Sequence, residues 1–181
     1  YRGEPEQALA VYRQYQQRFP DRLYGTWGML EVYERSGRFE EAYRLLEEAF
    51  GKNMTPGIRL EQARILAEMG EVRKAIRLCE GVAASGKLAD RANRDLGAIW
   101  FFERGKPRKA VKYWEKALSL ANPETEFYWE TAILLMKAYR ELQDPRQVRR
   151  CLAQILECWR RQYGGTDKFV HSLSSPSCRL Y

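Results

Sequence analysis

One pattern occurs five times along the chain and limits its fold more than any other feature. Each copy has a turn-forming residue, a small residue five positions later and a larger residue four positions beyond that. The steps between successive small residues are 34, 33, 35 and 38 residues. A period near 34 suits a unit of two helices that stacks on its neighbours. The small residues are Ala8, Ala42, Ala75, Ala110 and Val148.

Each repeated residue type has a physical role in such a unit. Glycine at Gly37, Gly70 and Gly105 can end a first helix in the left-handed conformation. In three of the five copies a proline, at Pro5, Pro107 or Pro145, suits the first turn of the next helix. The small residue lets two helices cross closely. The pattern predicts nine helices, at residues 4–18, 22–36, 38–50, 56–69, 71–84, 90–104, 106–120, 124–142 and 145–163.

The repeated residues resemble the tetratricopeptide repeat family. The match is strongest in the copies at Gly37, Phe39, Ala42 and Ala49 and at Gly105, Ala110, Trp114 and Ala117. A small residue is also expected on each first helix; Ala63, Ala98 and Ala132 supply it, whereas Leu30 does not. The resemblance implies an all-α fold of the α-α superhelix class, a right-handed solenoid of helix hairpins. Residues 1–163 would form a half repeat and four helix pairs, and residues 164–181 a flexible tail.

The resemblance also implies a function. Members of this family act as protein-binding scaffolds and not as enzymes, and their first helices line a concave groove. The groove is predicted to be apolar, acidic in the middle and basic at one end, which suits a peptide with apolar and basic residues. One subfamily clamps the C-terminal tails of chaperones with residues that include a groove asparagine. This chain has Glu31, Arg64 and Ile99 at the corresponding positions of successive units, which argues against that kind of partner. The predicted groove residues are Tyr24, Trp27, Glu31, Glu34, Arg35, Leu60, Glu61, Arg64, Glu68, Asp95, Ile99, Phe102, Lys137 and Arg140.

Two alternatives to the scaffold hypothesis remain open. Copies of the chain could assemble through an open N-terminal seam or the apolar last helix pair. The basic second helices could instead contact nucleic acid or an anionic membrane, because the chain has 31 Lys and Arg against 24 Asp and Glu, a net charge of +7. Interleaved acids at Glu71, Glu80, Glu115 and Glu157 argue against that contact.

Motifs that could support catalysis are weak. The segment 81–88 matches part of a phosphate-binding loop, but Leu88 stands where a metal-binding hydroxyl is needed. The single histidine, His171, falls in the predicted tail, and no residues have metal-ligand spacing. We therefore expect no catalytic residue, no metal, no cofactor and no small-molecule substrate.

The cysteines and the absence of a long apolar run give an indication of the cellular compartment. The four cysteines lie far apart or on one helix, which indicates reduced thiols and favours the cytoplasm. There is no apolar run of eighteen residues. The first residue is Tyr1, which indicates a fragment or a processed form.

Overall fold

A computed structural model describes residues 4–163 and shows them as nearly continuous helix. Each predicted helix is present, with ends within two residues of the prediction. The described residues contain no strand, which confirms the all-α helical-repeat class. The predicted flexible tail, with His171, lies outside the described residues. The helices are α1 Pro5–Arg18, α2 Tyr24–Arg35, α3 Phe39–Phe50, α4 Pro56–Glu68, α5 Val72–Ala84, α6 Ala89–Ala98, a π-helical turn Ile99–Glu103, α7 Pro107–Leu120, α8 Glu126–Glu141 and α9 Pro145–Tyr163.

The chain forms two compact units, divided between Leu88 and Ala89. In the first unit each of helices α1 to α5 packs against the next along the chain. Leu9, Leu46 and Ile65 are fully buried between them. Ala42 and Ala75, the repeated small residues, are also fully buried, as expected where helices cross closely.

The second unit has the same plan, with α6 on α7, α7 on α8 and α8 on α9. Its largest fully buried side chain is Trp114, whose indole Nε1 donates a hydrogen bond to the Arg94 carbonyl oxygen at 2.9 Å. The rings of Trp129 and Trp159 meet edge to face with centroids 6.2 Å apart. Large aromatic side chains therefore fill the spaces between helices in this unit.

The ends of the first helices confirm the predicted role of the repeated glycine. Gly37, Gly70 and Gly105 have φ of 71°, 78° and 57°. The degenerate fifth copy has Gln143 at this position, and it adopts the same conformation with φ 56°. The amide of the following residue, Asp144, donates to the Tyr139 carbonyl oxygen at 2.9 Å, which closes the helix as in the glycine copies.

A left-handed glutamine is strained, because its Cβ crowds the following carbonyl group. We expect Gln143→Gly to raise the free energy of unfolding by up to about 1 kcal/mol, after allowance for the greater freedom of glycine in the unfolded chain. Gly70→Ala, the reverse change at an equivalent position, should lower it by roughly 1–2 kcal/mol. Urea unfolding of both variants measures the two shifts, and equal signs would contradict the explanation.

The π-helical turn shifts the register of the sixth helix. At the ends of α2, α4 and α8, the backbone amide after the left-handed residue donates to the carbonyl oxygen five residues earlier. At the end of the sixth helix, the Lys106 amide instead donates to the Trp100 carbonyl oxygen, six residues earlier, at 2.8 Å. The turn thus holds one extra residue. The residue in close approach to a neighbouring helix is consequently Gly97 and not the predicted Ala98, which is only half-buried.

Candidate functional site

The predicted groove residues of the first unit lie on α2 and α4, the first helices of two successive pairs. On α2, Tyr24 and Trp27 are 65% and 39% exposed, which is unusual for large aromatic rings. Glu31 and Arg35 are exposed one and two turns further along, and Glu34 is half-buried. The helix therefore presents an aromatic N-terminal half and a charged C-terminal half.

Both exposed rings are supported by other aromatic side chains. Tyr24 meets Tyr12 and Tyr15 of α1 at an edge, with ring centroids 6.1 and 5.3 Å apart. Trp27 lies 5.7 Å from Phe50 at the end of α3. Because Phe50 is buried and the helices are packed, the outer surfaces of these rings are held in place.

An ion-pair cluster joins α2 to α4. Arg64 Nη2 donates to Glu34 Oε1 at 2.5 Å and to Glu61 Oε2 at 2.7 Å. Partial burial opposes the charge on Arg64, but the hydrogen bonds to both carboxylates outweigh it and raise the pKa of the guanidinium above its ordinary value. Three residues predicted separately for the groove are thus in direct contact, and Arg64 stays charged at any physiological pH.

The remaining predicted residues of the first unit differ in accessibility. Glu68 is exposed at the end of α4, and Glu31 pairs with Arg35 at 3.4 Å on the surface of α2. Leu60 is only 7% exposed, so it contributes core packing and little accessible surface. The accessible charged groups are therefore four glutamates against two arginines.

We call this surface the acidic face: Tyr24, Trp27, Glu31, Glu34 and Arg35 of α2 with Glu61, Arg64 and Glu68 of α4. Its formal charge of −2 is opposite in sign to that of the chain, which is +7. Both α2 and α4 pack against α3, which holds the arrangement in place. A surface of this kind attracts cationic groups and offers aromatic rings to apolar ones.

A cavity of about 220 Å³ lies beside the acidic face, between the start of α1 and the end of α2. Ala8, Tyr12 and Val32 are among its lining residues, and Glu4, Glu31 and Arg35 supply its charged groups. Tyr12 and Val32 were not among the predicted groove residues. The repeated spacing of Ala8 and Tyr12 marks them as facing a neighbouring helix, but not as bordering a cavity.

The predicted groove residues of the second unit do not form a comparable surface. Ile99 is 6% exposed and lies in the π-helical turn, whose extra residue rotates the residues before it relative to the repeat pattern. Asp95 and Lys137 are half-buried and Arg140 is exposed. Phe102 is exposed, with its ring 4.9 Å from that of Phe101.

The segments considered for catalysis or metal binding lie in ordinary helical surroundings. Residues 81–84 end α5 and residues 85–88 form the turn that follows, so no strand precedes the partial phosphate-loop motif. Within residues 4–163, no three His, Cys, Asp or Glu side chains are grouped so that they could hold a metal ion. None of the described helices combines the length and the apolar character that crossing a bilayer requires.

The described cysteines are poor nucleophiles. Cys79, Cys151 and Cys158 are buried, and none of them forms a disulfide. Burial raises the pKa of the Cys151 and Cys158 thiols, so less of each is thiolate at pH 8.

We expect these thiols to react with Ellman's reagent at pH 8 at least about tenfold more slowly in the native protein than in urea. The Cys178→Ser variant leaves only Cys79, Cys151 and Cys158 to be measured. Rapid reaction of all three thiols in the folded protein would contradict their burial.

Comparisons with known proteins agree with this fold. A family model described as Tetratricopeptide repeat matches residues 1–54. No curated protein matches the chain. Among solved structures, MamA residues 41-end from Desulfovibrio magneticus RS-1 is 18% identical, with a TM-score of 0.63 over 90% of this chain and 89% of that chain.

Two other solved structures are similar to a comparable degree. A Podosopora anserina putative kinesin light chain with nearly identical TPR-like repeats is 19% identical, with a TM-score of 0.63 over 90% of each chain. A chain of the APC/C hetero-tetramer Cut9-Hcn1 is 18% identical with the same TM-score, over 86% of this chain and 30% of that chain. At such identities the likeness establishes the fold alone.

The helix pairs, their left-handed ends and their period define a helical-repeat protein. Residues 1–54 are similar to a tetratricopeptide repeat, and the similar solved structures share this helical-repeat fold.

Proposed function

We propose that the protein is a protein–protein interaction scaffold and that the acidic face binds a segment of its partner. The observation that carries this proposal is the combination of exposed, supported aromatic rings with a surplus of carboxylates on two rigid helices. This combination gives both an apolar anchor point and a charge preference, which are the two elements of peptide recognition in a helical groove. The proposed role involves no catalysis and no cofactor.

The charge distribution supports a basic partner. Arg64 is already shared between Glu34 and Glu61, and Arg35 is paired with Glu31, so the four glutamates of the acidic face outnumber its two arginines. Glu68 has no ion pair among the described residues. A lysine or arginine from the partner would complete this network, and salt would weaken its binding.

The order of residues along α2 supports one orientation of the partner. Tyr24 and Trp27 precede Glu31 and Glu34 by about one to three helical turns, which is a separation of roughly 6–15 Å along the axis. An apolar side chain of the partner would lie on the rings, and its basic residues would lie towards the end of α2. The cavity between α1 and α2, bordered by Glu4 and Glu31, continues the surface in that direction.

A peptide array tests the proposal. Fifteen-residue peptides that differ in apolar and basic content are probed with three labelled proteins. The first is the wild type, the second is the double variant Glu31→Lys with Glu61→Lys, and the third is a control, the double variant Glu48→Lys with Glu80→Lys. The control changes charge equally at exposed glutamates of α3 and α5 that form no ion pair among the described residues. We expect the wild type and the control to bind basic peptides that contain an apolar residue, and the Glu31→Lys, Glu61→Lys variant to bind them much more weakly. Equal binding by all three proteins would refute the acidic face as the site.

Self-association is a second candidate that a specific observation favours. Val11 of α1, Phe19 directly after α1 and Leu23 directly before α2 are exposed large apolar residues of the first two helices and their connection. Exposed apolar residues that form a patch often mark an interface. Light scattering across a concentration range distinguishes this candidate, because a strict monomer would exclude it.

A further inference from the structure

The positive charge of the chain is concentrated on two helices of the second unit. Residues 103–120 and 144–161, which contain α7 and most of α9 with the residues before them, hold eleven Lys and Arg and four Asp and Glu. This excess of seven equals the net charge of the whole chain, so the other residues are balanced. The eleven are Arg104, Lys106, Arg108, Lys109, Lys112, Lys116, Arg146, Arg149, Arg150, Arg160 and Arg161. We call them the basic rows.

All eleven side chains of the basic rows are exposed. Among the described residues, Arg161 is the only one of them in an ion pair, at 3.0 Å from Glu157. Lys109 lies 4.0 Å from the centre of the Trp100 ring, which still leaves its charge at the surface. The rows are therefore a strong, largely uncompensated positive surface.

The four glutamates that argue against an anion-binding surface in the sequence do not neutralise the basic rows. Glu71 and Glu80 belong to the first unit. Glu115 accepts a hydrogen bond from the Tyr139 hydroxyl at 2.7 Å, and Glu157 pairs with Arg161. Both glutamates are already counted among the four acids, which leave an excess of seven cations.

The cations at the start of α7 and α9 oppose helix stability, whereas Arg160 and Arg161 lie in the last turn of α9, where cations are favoured. A helix N-terminus carries a partial positive charge and favours acids in its first turn. The first turn of α7 has no acid and contains Arg108 and Lys109, and that of α9 has no acid and contains Arg146. Asp144 precedes α9 and accepts from the amides of Arg146 and Gln147, but it is a single carboxylate. Folding alone does not account for this placement.

The two helices that carry the rows run in the same direction on either side of α8 in the chain. Helix α8 packs against both α7 and α9 and is joined to each by five residues or fewer. Each connection reverses the chain, so α7 and α9 run parallel with their N-termini at the same end. The cations extend along each axis for about 12–22 Å at 1.5 Å per residue.

The composition of this surface selects the partner. The large apolar residues exposed on α7 and α9 are Leu120 and Leu152, and no described aromatic ring on either helix is exposed. A protein interface needs apolar or aromatic anchors, and single-stranded nucleic acid needs rings on which its bases stack. Stable attachment to a membrane needs an apolar insertion besides charge. The phosphates of a duplex require charge alone, and seven of the eleven cations are arginines, which suit phosphate.

We propose that the basic rows bind double-stranded nucleic acid through its phosphate backbone, without reading its bases. This inference is independent of the acidic face, which lies in the other unit and carries the opposite charge.

Fluorescence anisotropy of a labelled 20-base-pair duplex of arbitrary sequence, with the full chain, tests the proposal. We expect binding at 50 mM salt that weakens roughly 10³-fold by 200 mM, as about five or six phosphate contacts predict. Two charge-reversal variants, Lys112→Glu with Lys116→Glu and Arg146→Glu with Arg149→Glu, should each lower the affinity at least tenfold at 100 mM salt. Each should also reduce the salt slope by about 2.

The matched control is Arg73→Glu with Arg77→Glu, which makes the same charge change on exposed arginines of α5 in the first unit. We expect it to lower the affinity less than threefold. Circular dichroism verifies folding, and Lys112→Gln with Arg149→Gln replaces any reversal that unfolds the chain.

Three results would overturn the proposal: no duplex binding at 50 mM salt, an equal loss in the control, or tighter binding of a single strand of the same length. Vesicles containing phosphatidylserine provide the membrane arm. Binding to vesicles without binding to the duplex would also overturn it and would assign the surface to membranes.

Discussion

Trp114→Ala should lower the free energy of unfolding by about 3–5 kcal/mol, the largest effect that we expect of any single substitution. The Trp114 side chain is fully buried against the core of the second unit, and the smaller residue would leave a cavity that packed helices cannot fill. The change also removes the hydrogen bond from Nε1 to the Arg94 carbonyl. For a chain of this size we expect the melting temperature to fall by roughly 10 °C.

The neighbouring glycine gives an independent test of the same packing. A Cβ added at Gly97 would lie 2.3 Å from Trp114 Nε1 and 2.4 Å from Cδ1, so Gly97→Ala should cost about 1–3 kcal/mol. The control is Gly81→Ala in the exposed interior of α5, where an added Cβ meets nothing within 4 Å. That variant should be about 0.5–1 kcal/mol more stable than the wild type. Equal costs at the two positions would show that the indole does not require the glycine.

Trp27→Ala should produce the largest loss of partner binding, about 30-fold or about 2 kcal/mol. Trp27 combines a large exposed ring with support from Phe50 and lies one turn from Glu31. Its truncation removes an accessible ring together with the contact to Phe50, so circular dichroism verifies that the variant folds. Isothermal titration with the best peptide from the array measures the change.

Val11→Ala is the matched control for this prediction. Val11 is also an exposed apolar residue of the first unit, but it lies on α1 and outside the acidic face. Its truncation should leave the affinity within twofold. A larger loss with Val11→Ala than with Trp27→Ala would place the anchor elsewhere.

Much of the fold could be predicted from the sequence, because local chemistry repeats with the period. Glycine, proline and alanine at fixed positions indicate helix ends and close crossings without knowledge of distant contacts. Gln143 shows the limit of this reasoning. Glutamine has no preference for a left-handed backbone, so the conformation at Gln143 is indicated only by its position in the repeat.

The π-helical turn could not be predicted from the repeat. An extra residue within a helix leaves composition and periodicity nearly unchanged over one turn. The close approach of Gly97 to the Trp114 ring is visible only in the tertiary structure. The repeat therefore predicted Ala98 as the small residue in close contact with the next helix, whereas Gly97 occupies that position.

The candidate site was predicted as single positions and not as contacts. The repeat positions indicate that Glu34, Glu61 and Arg64 belong to first helices. The sharing of one guanidinium between two carboxylates depends on side-chain conformations across two helices. The cavity beside Tyr12 likewise depends on how two helices diverge at one end.

A charge-swap cycle between the acidic face and its best peptide tests the central claim most directly. Affinity is measured for the wild-type protein and Glu31→Lys, each with the original peptide and with one whose basic residue is replaced by glutamate. We predict at least a tenfold loss for either single reversal and substantial recovery when both are combined, because only a direct pairing is restored by reversing both charges. Two losses that simply add, with no recovery, would contradict the account.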